Sequence, residues 1–204
     1  MELKSRILKG AEELFLRYGI RSITMDDIAR HLGISKKTVY RSFSDKDDIV
    51  HTLLKEKLKG DEKDFEHIVN VSSNVIEEVL NMMKHMAKVF SRVNPNVFYD
   101  LQKYYPASWK LFKEFKENCI LRIVEKALTK GVKQKYIRSD INIKILARMR
   151  MEQIDMGFNP VVFPPDKFKM ADVQVAMLDH FLYGICTLKG HKLINKYKEV
   201  IEEE

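Results

Sequence analysis

Apolar positions recur at intervals of three and four along nearly the whole chain, and no segment alternates with period two long enough to suggest a sheet. Leu3, Ile7, Ala11, Leu14 and Tyr18 mark one face of a first helix, which Gly19 ends. Met25, Ile28, Ala29 and Leu32 follow at the i, i+3, i+4, i+7 spacing of a second helix. Thr24 stands at its N-cap position, and Asp27 completes the T-x-x-D pattern of a capping box. Gly33 provides the backbone freedom of a sharp turn. Ser35 caps a short third helix in which Val39 and Phe43 point inward, leaving Lys36, Lys37, Thr38, Tyr40 and Arg41 facing out. Ser44 and Asp47 predict another capping box, opening a fourth helix through Ile49, Val50, Leu53, Leu54 and Leu58, with Gly60-Asp61 as a candidate break.

Beyond it, apolar stripes cover residues 73–93, 107–130, 141–157 and 171–187, and the NPVVFPPD segment predicts one longer loop at 158–169. The expected fold is all-α with about nine or ten helices. An N-terminal three-helix domain over residues 1–46 is followed by a larger helical regulatory and dimerisation domain over 47–204, and the fourth helix, 45–60, connects them. The Glu202-Glu203-Glu204 tail reads as a frayed helix end.

Two short helices joined by a tight turn form the layout of a helix-turn-helix DNA reader, whose second helix enters the major groove with its N-terminal residues on base edges. Ser35, Lys36, Lys37 and Thr38 occupy those positions. A lysine can donate to guanine O6 or N7 and a threonine methyl can touch thymine, but either lysine can equally hold a phosphate. The net charge of +7 suits a polyanionic partner, and over half of the surplus falls in residues 1–60.

The first helix with ILKGAEELFLRYGIRSITMDDIA, the turn LGIS and the run Tyr40-Arg41-Ser42-Phe43-Ser44-Asp45-Lys46 together resemble the DNA-binding domain of the TetR family of transcriptional regulators, over roughly residues 1–60. The resemblance rests most on the spacing Y-x-x-F-x-x-K. It implies that Tyr40 holds a backbone phosphate. Lys46, in the first turn of the fourth helix, is a further phosphate candidate, because free N–H groups already favour an anion at a helix start. Thr24 sits at the same kind of position in the second helix, and Arg41 and Arg21 are additional candidates.

Two half-sites require a symmetric dimer. The stripe Met177, Leu178, Phe181, Leu182 and Ile185 is the expected dimer interface, in agreement with the family's use of its last two long helices; burial inside one protomer is the alternative. The resemblance also implies a small-molecule effector enclosed by the central helices. Met82, Met86, Phe90, Tyr105, Trp109, Phe112, Met149 and Glu152 are the candidate lining for a small apolar or aromatic ligand, or else plain core. Arg148 and Glu152 have the i, i+4 spacing of a surface ion pair.

Cys119 and Cys186 are the only cysteines, without C-x-x-C or a neighbouring histidine pattern, so neither a zinc finger nor a disulfide framework is expected. No metal or other cofactor is expected. No apolar run approaches the ~18 residues of a membrane span, and the N-terminus has no signal-peptide pattern, which predicts a cytoplasmic protein. No H-E-x-x-H, G-x-G-x-x-G, P-loop or nucleophile-elbow motif occurs, and an enzyme is not expected. The resulting expectation is a homodimeric, sequence-specific repressor of transcription released by an effector. The alternative is a DNA-organising or cell-division factor of the same fold without one, and a closed apolar cavity among the central helices discriminates the two.

Overall fold

The computed structural model describes residues 2–199, so the Glu202-Glu203-Glu204 tail lies outside the described residues. Every regular element among them is helical, apart from an isolated antiparallel bridge between Ile137 and Cys186. None of the helices is long and apolar enough to cross a membrane. Packing divides the chain into two units, Met1–Asp61 with Arg92–Phe115, and Glu62–Ser91 with Lys116–Glu204.

The first unit contains α1 (Leu3–Tyr18), α2 (Met25–Leu32), α3 (Lys36–Tyr40), the start of α4 (Lys46–Val71), α6 (Asn96–Tyr104) and α7 (Pro106–Phe115). Ile7, Ala11, Ile28, Val39, Phe43 and Ile49 are buried in one core, as the helical spacing predicted; Phe15 joins them, while Leu3 and Tyr18, expected on the same face of α1, are exposed. Leu101 and Tyr105 join it, so α6 and α7 pack in the same unit as the helix-turn-helix. The division expected at residue 46 therefore differs from the one that packing makes: a segment distant in sequence completes the first core.

Two local expectations need correction. The α4 cap is set one residue away from the predicted Ser44/Asp47 pair: the Asp48 N–H donates to Asp45 Oδ1 (2.8 Å), and the Ser44 N–H donates to Asp48 Oδ2 (3.1 Å). Helix α4 also runs through Gly60-Asp61 without a break. One glycine costs a helix only about 1 kcal/mol, and Asp61 pairs one turn back with Lys57 at 3.0 Å.

The second unit contains the remainder of α4, α5 (Val75–Phe90), a π-helical turn (Lys116–Ile120), α8 (Leu121–Lys133), α9 (Ile143–Gly157), α10 (Met170–Ile185) and α11 (Leu188–Lys198). The expected number of helices is close, since α7, the π turn and α8 follow one another without an intervening loop. Ile76 and Leu80, Leu128, Ala147, Leu182 and Ile194 bring α5, α8, α9, α10 and α11 into one core. Residues 158–169 form the predicted connection between α9 and α10.

Candidate functional site

Local hydrogen bonding fixes the turn between α2 and α3. The Asp27 N–H donates to Thr24 Oγ1 (3.2 Å), while the Thr24 N–H and hydroxyl both donate to Asp27 Oδ2 (2.9 and 2.6 Å), completing the predicted capping box. These bonds hold the Asp27 carboxyl below its ordinary pKa, the Thr24 side chain contributing most. Gly33 ends α2 at φ 64°, ψ 32°, the left-handed conformation that glycine enters without a Cβ penalty. The Thr38 N–H donates to Ser35 Oγ (3.1 Å), and the two hydroxyls lie 2.8 Å apart, so Ser35 starts α3 as predicted.

Val39 is fully buried beneath this turn, and Ser35, Lys36, Lys37, Tyr40 and Arg41 are exposed, with Thr38 half-buried. Lys36 reaches Asp26 Oδ2 at 3.2 Å, a surface pair that a phosphate or base can replace at little cost. Lys37, Tyr40 and Arg41 have no side-chain hydrogen bond or ion pair among the described residues. Thr24 is exposed, but its hydroxyl is engaged in the capping box.

Lys46, the phosphate candidate at the start of α4, is half-buried and engaged within the unit. Its ammonium donates to the carbonyls of Ile23 (2.8 Å), Ile20 (3.1 Å) and Arg21 (3.4 Å), and it lies 5.8 Å from the centre of the Tyr105 ring. All three ammonium protons are accounted for inside the unit. Burial lowers the Lys46 pKa, against the opposing charges of Asp100 and Asp47. Lys46 thus braces the α1–α2 turn; no phosphate is needed to explain a cation at the start of α4.

Helix α6 and the loop before it also brace this turn, which the sequence pattern did not reveal. The Arg21 N–H donates to Asp100 Oδ2 (2.8 Å), Asn94 Nδ2 donates to the Arg17 carbonyl (3.1 Å), and the Arg21 guanidinium lies 4.8 Å from the Tyr104 ring centre. Tyr105 is buried here, and burial with the nearby charges of Asp47 and Asp100 pushes its phenol up to about 12.

The second unit holds a partly open cavity of about 160 Å³. Met82, Met83, Met86 and Phe90 line it from α5, and Ile123 and Leu128 face it from α8. Three of the predicted ligand residues, Met82, Met86 and Phe90, are therefore brought together. Five are not. Tyr105 and Trp109 pack in the core of the first unit, where Phe112 stacks on Trp109 with ring centres 5.4 Å apart, while Met149 and Glu152 lie on the exposed side of α9.

The stripe on α10 also turns inward. Leu178, Phe181, Leu182 and Ile185 line the cavity, and the last three are buried within the single chain, so a partner cannot cover them; the predicted interface is corrected for these residues. Met177 is half-buried. Arg148 pairs with Glu117 at 2.6 Å and not with Glu152.

Polar groups are scarce in the cavity. Gln174 borders it and donates from Nε2 to the Ile154 carbonyl at 2.9 Å. Arg150 borders it too, only 7% exposed, with Nη1 buried and lacking an acceptor. Burial alone lowers its pKa to about 10, leaving it charged at neutral pH.

A capped helix-turn-helix with a free polar outer face defines a DNA-binding protein of the transcription-regulator class. Residues 7–53, which span the helix-turn-helix and the start of α4, match the model of the bacterial regulatory proteins of the tetR family. The uncharacterized HTH-type transcriptional regulator YvaF of Bacillus subtilis (strain 168) is 29% identical over 187 residues, covering 90% of this chain and 95% of that protein. Among solved structures, a TetR-family regulator from Agrobacterium tumefaciens superposes with a TM-score of 0.72 at 16% identity, over 90% of this chain and 97% of the other. The regulator FadR from Bacillus subtilis, solved in complex with stearoyl-CoA, gives a TM-score of 0.65 at 21% identity, over 89% and 98% of the two chains.

Proposed function

We infer that the protein is a homodimeric transcriptional repressor whose hold on operator DNA is released when a small apolar or amphipathic molecule enters the cavity of its second unit. The cavity carries this reading. A solid core would have favoured a DNA-organising factor without an effector, whereas apolar space lined by adaptable methionines is what ligand binding requires. FadR, crystallised with an acyl thioester, shares the fold and supports a ligand with an apolar tail.

In this reading, Ser35, Lys36, Lys37 and Thr38 meet base edges, and Tyr40 and Arg41 hold the backbone. Reading two half-sites about 34–36 Å apart requires a second protomer. Ile145, Met149 and Met156 supply a surface for it: all three are exposed, and offsets of four and eleven put them on one face of α9. An isologous dimer can use one such stripe twice. Ligand in the cavity releases DNA provided it binds the non-reading arrangement of the dimer better than the reading one.

Selection of bound duplexes from random DNA, with and without a metabolite extract, tests the proposal. An enriched inverted repeat, lost when the extract is present, is the expected outcome. Enrichment of no sequence would overturn the regulatory reading, and an inverted repeat indifferent to every extract would favour the effector-free alternative.

A further inference from the structure

Arg150 stands apart from the other buried charges. Among the described residues, Asp61, Glu78, Asp100, Lys116 and Arg150 are the charged side chains buried in the chain. Four have partners: Lys57 for Asp61 (3.0 Å), Lys130 for Glu78 (2.7 Å), the Arg21 N–H for Asp100 (2.8 Å) and Asp155 for Lys116 (2.5 Å). Arg150 makes no hydrogen bond or ion pair, its Nη1 is sealed from solvent, and no charged neighbour perturbs it. Such a charge opposes folding unless something compensates it, and the space it borders is otherwise almost wholly apolar.

We propose that Arg150 is the anchor for the carboxylate of an amphipathic acid whose hydrocarbon part fills the cavity among Met82, Met86, Phe90 and Phe181. The inference rests on the effector reading above and adds to it the charge of the ligand's head. A planar guanidinium fork matches a carboxylate bidentately, and the pair neutralises a charge that the chain leaves unmatched. An alcohol or ester can accept a hydrogen bond there without supplying the opposite charge. The volume limits the tail. About 160 Å³ is comparable to the roughly 150 Å³ apolar cavity that accepts benzene, so an aromatic ring or a short to medium chain fits with methionine repacking.

The test is calorimetric titration of the full chain with octanoic acid, octanol and octanoyl-CoA, repeated with Arg150→Met and Arg150→Lys. In the wild type, octanoate is expected to bind at least about tenfold more tightly than octanol, because charge-assisted pairs are the stronger ones. Arg150→Met is expected to lose the preference for the acid over octanol, while Arg150→Lys retains part of it. Arg150→Met is also expected to melt no lower than the wild type, since it removes an unpaired buried charge; should it fail to fold, Arg150→Lys carries the comparison. Equal binding of acid and alcohol, or tighter binding of octanoyl-CoA that persists in a folded Arg150 variant, would overturn the assignment while leaving an effector cavity intact. No binding of any of the three would overturn both.

Discussion

Lys46 shows how one side chain can carry the right charge in the right motif and still serve the fold. Its ammonium is spent on the carbonyls of Ile20, Arg21 and Ile23. Lys46→Ala is expected to lower stability by about 1–2 kcal/mol, the range for charge-assisted hydrogen bonds, in a denaturant titration. It should leave the salt dependence of DNA binding unchanged once folded protein is compared. Arg41→Ala and Tyr40→Phe are expected to behave oppositely, leaving stability unchanged; Arg41→Ala reduces the logarithmic salt slope by about one. An unchanged slope for Arg41→Ala would assign it to a base edge or to solvent. Tyr105 offers a second residue-scale test. Its folded pKa, about 12, lies above the ordinary 10.0, so its contribution to stability is complete below pH 10 and is lost as pH rises toward 12. An ultraviolet titration should show one late-ionising phenol that Tyr105→Phe removes; if that late step persists in the variant, it belongs to another tyrosine.

The same contrast separates elements that were readable from the sequence from those that were not. The α2 and α3 boundaries followed from Thr24, Asp27, Gly33 and Ser35 because caps and turns are local hydrogen-bonding devices. The place of α6 was not readable: what holds it is the bond from Arg21 to Asp100, 79 residues apart, which no periodicity encodes. Helices α9 and α10 pose a related difficulty, since both carry apolar stripes and the stripe alone does not say which is covered. Phe181 is 5% exposed and Met149 is 42% exposed. Met149→Asp is therefore expected to give a folded monomer in sedimentation, whereas Phe181→Asp should unfold the second unit, at a cost above ~3 kcal/mol for an unpaired buried carboxylate. A folded Phe181→Asp monomer would return the interface to α10. Arg148 and Arg150, two positions apart on α9, lie on opposite sides: one pairs at the surface with Glu117 and the other borders the cavity. Sequence could name both arginines but not assign the inward one.

At the scale of the whole molecule, an outward polar face in the first unit and an apolar cavity in the second divide response from signal. Coupling between them is worth only the difference in ligand affinity between reading and non-reading arrangements, typically 1–3 kcal/mol or about 5–150-fold. The division was legible in outline, because a helix-turn-helix is a local pattern, while a cavity is a packing defect shared by five helices and has no signature in any one of them. The decisive measurement is fluorescence anisotropy of a duplex selected by the protein, titrated with protein in the absence of ligand and at octanoate saturation established by calorimetry. The expected result is an affinity for the duplex at least about fivefold weaker when the cavity is filled. Equal affinity at proven saturation would contradict the claim that the cavity governs the grip on DNA.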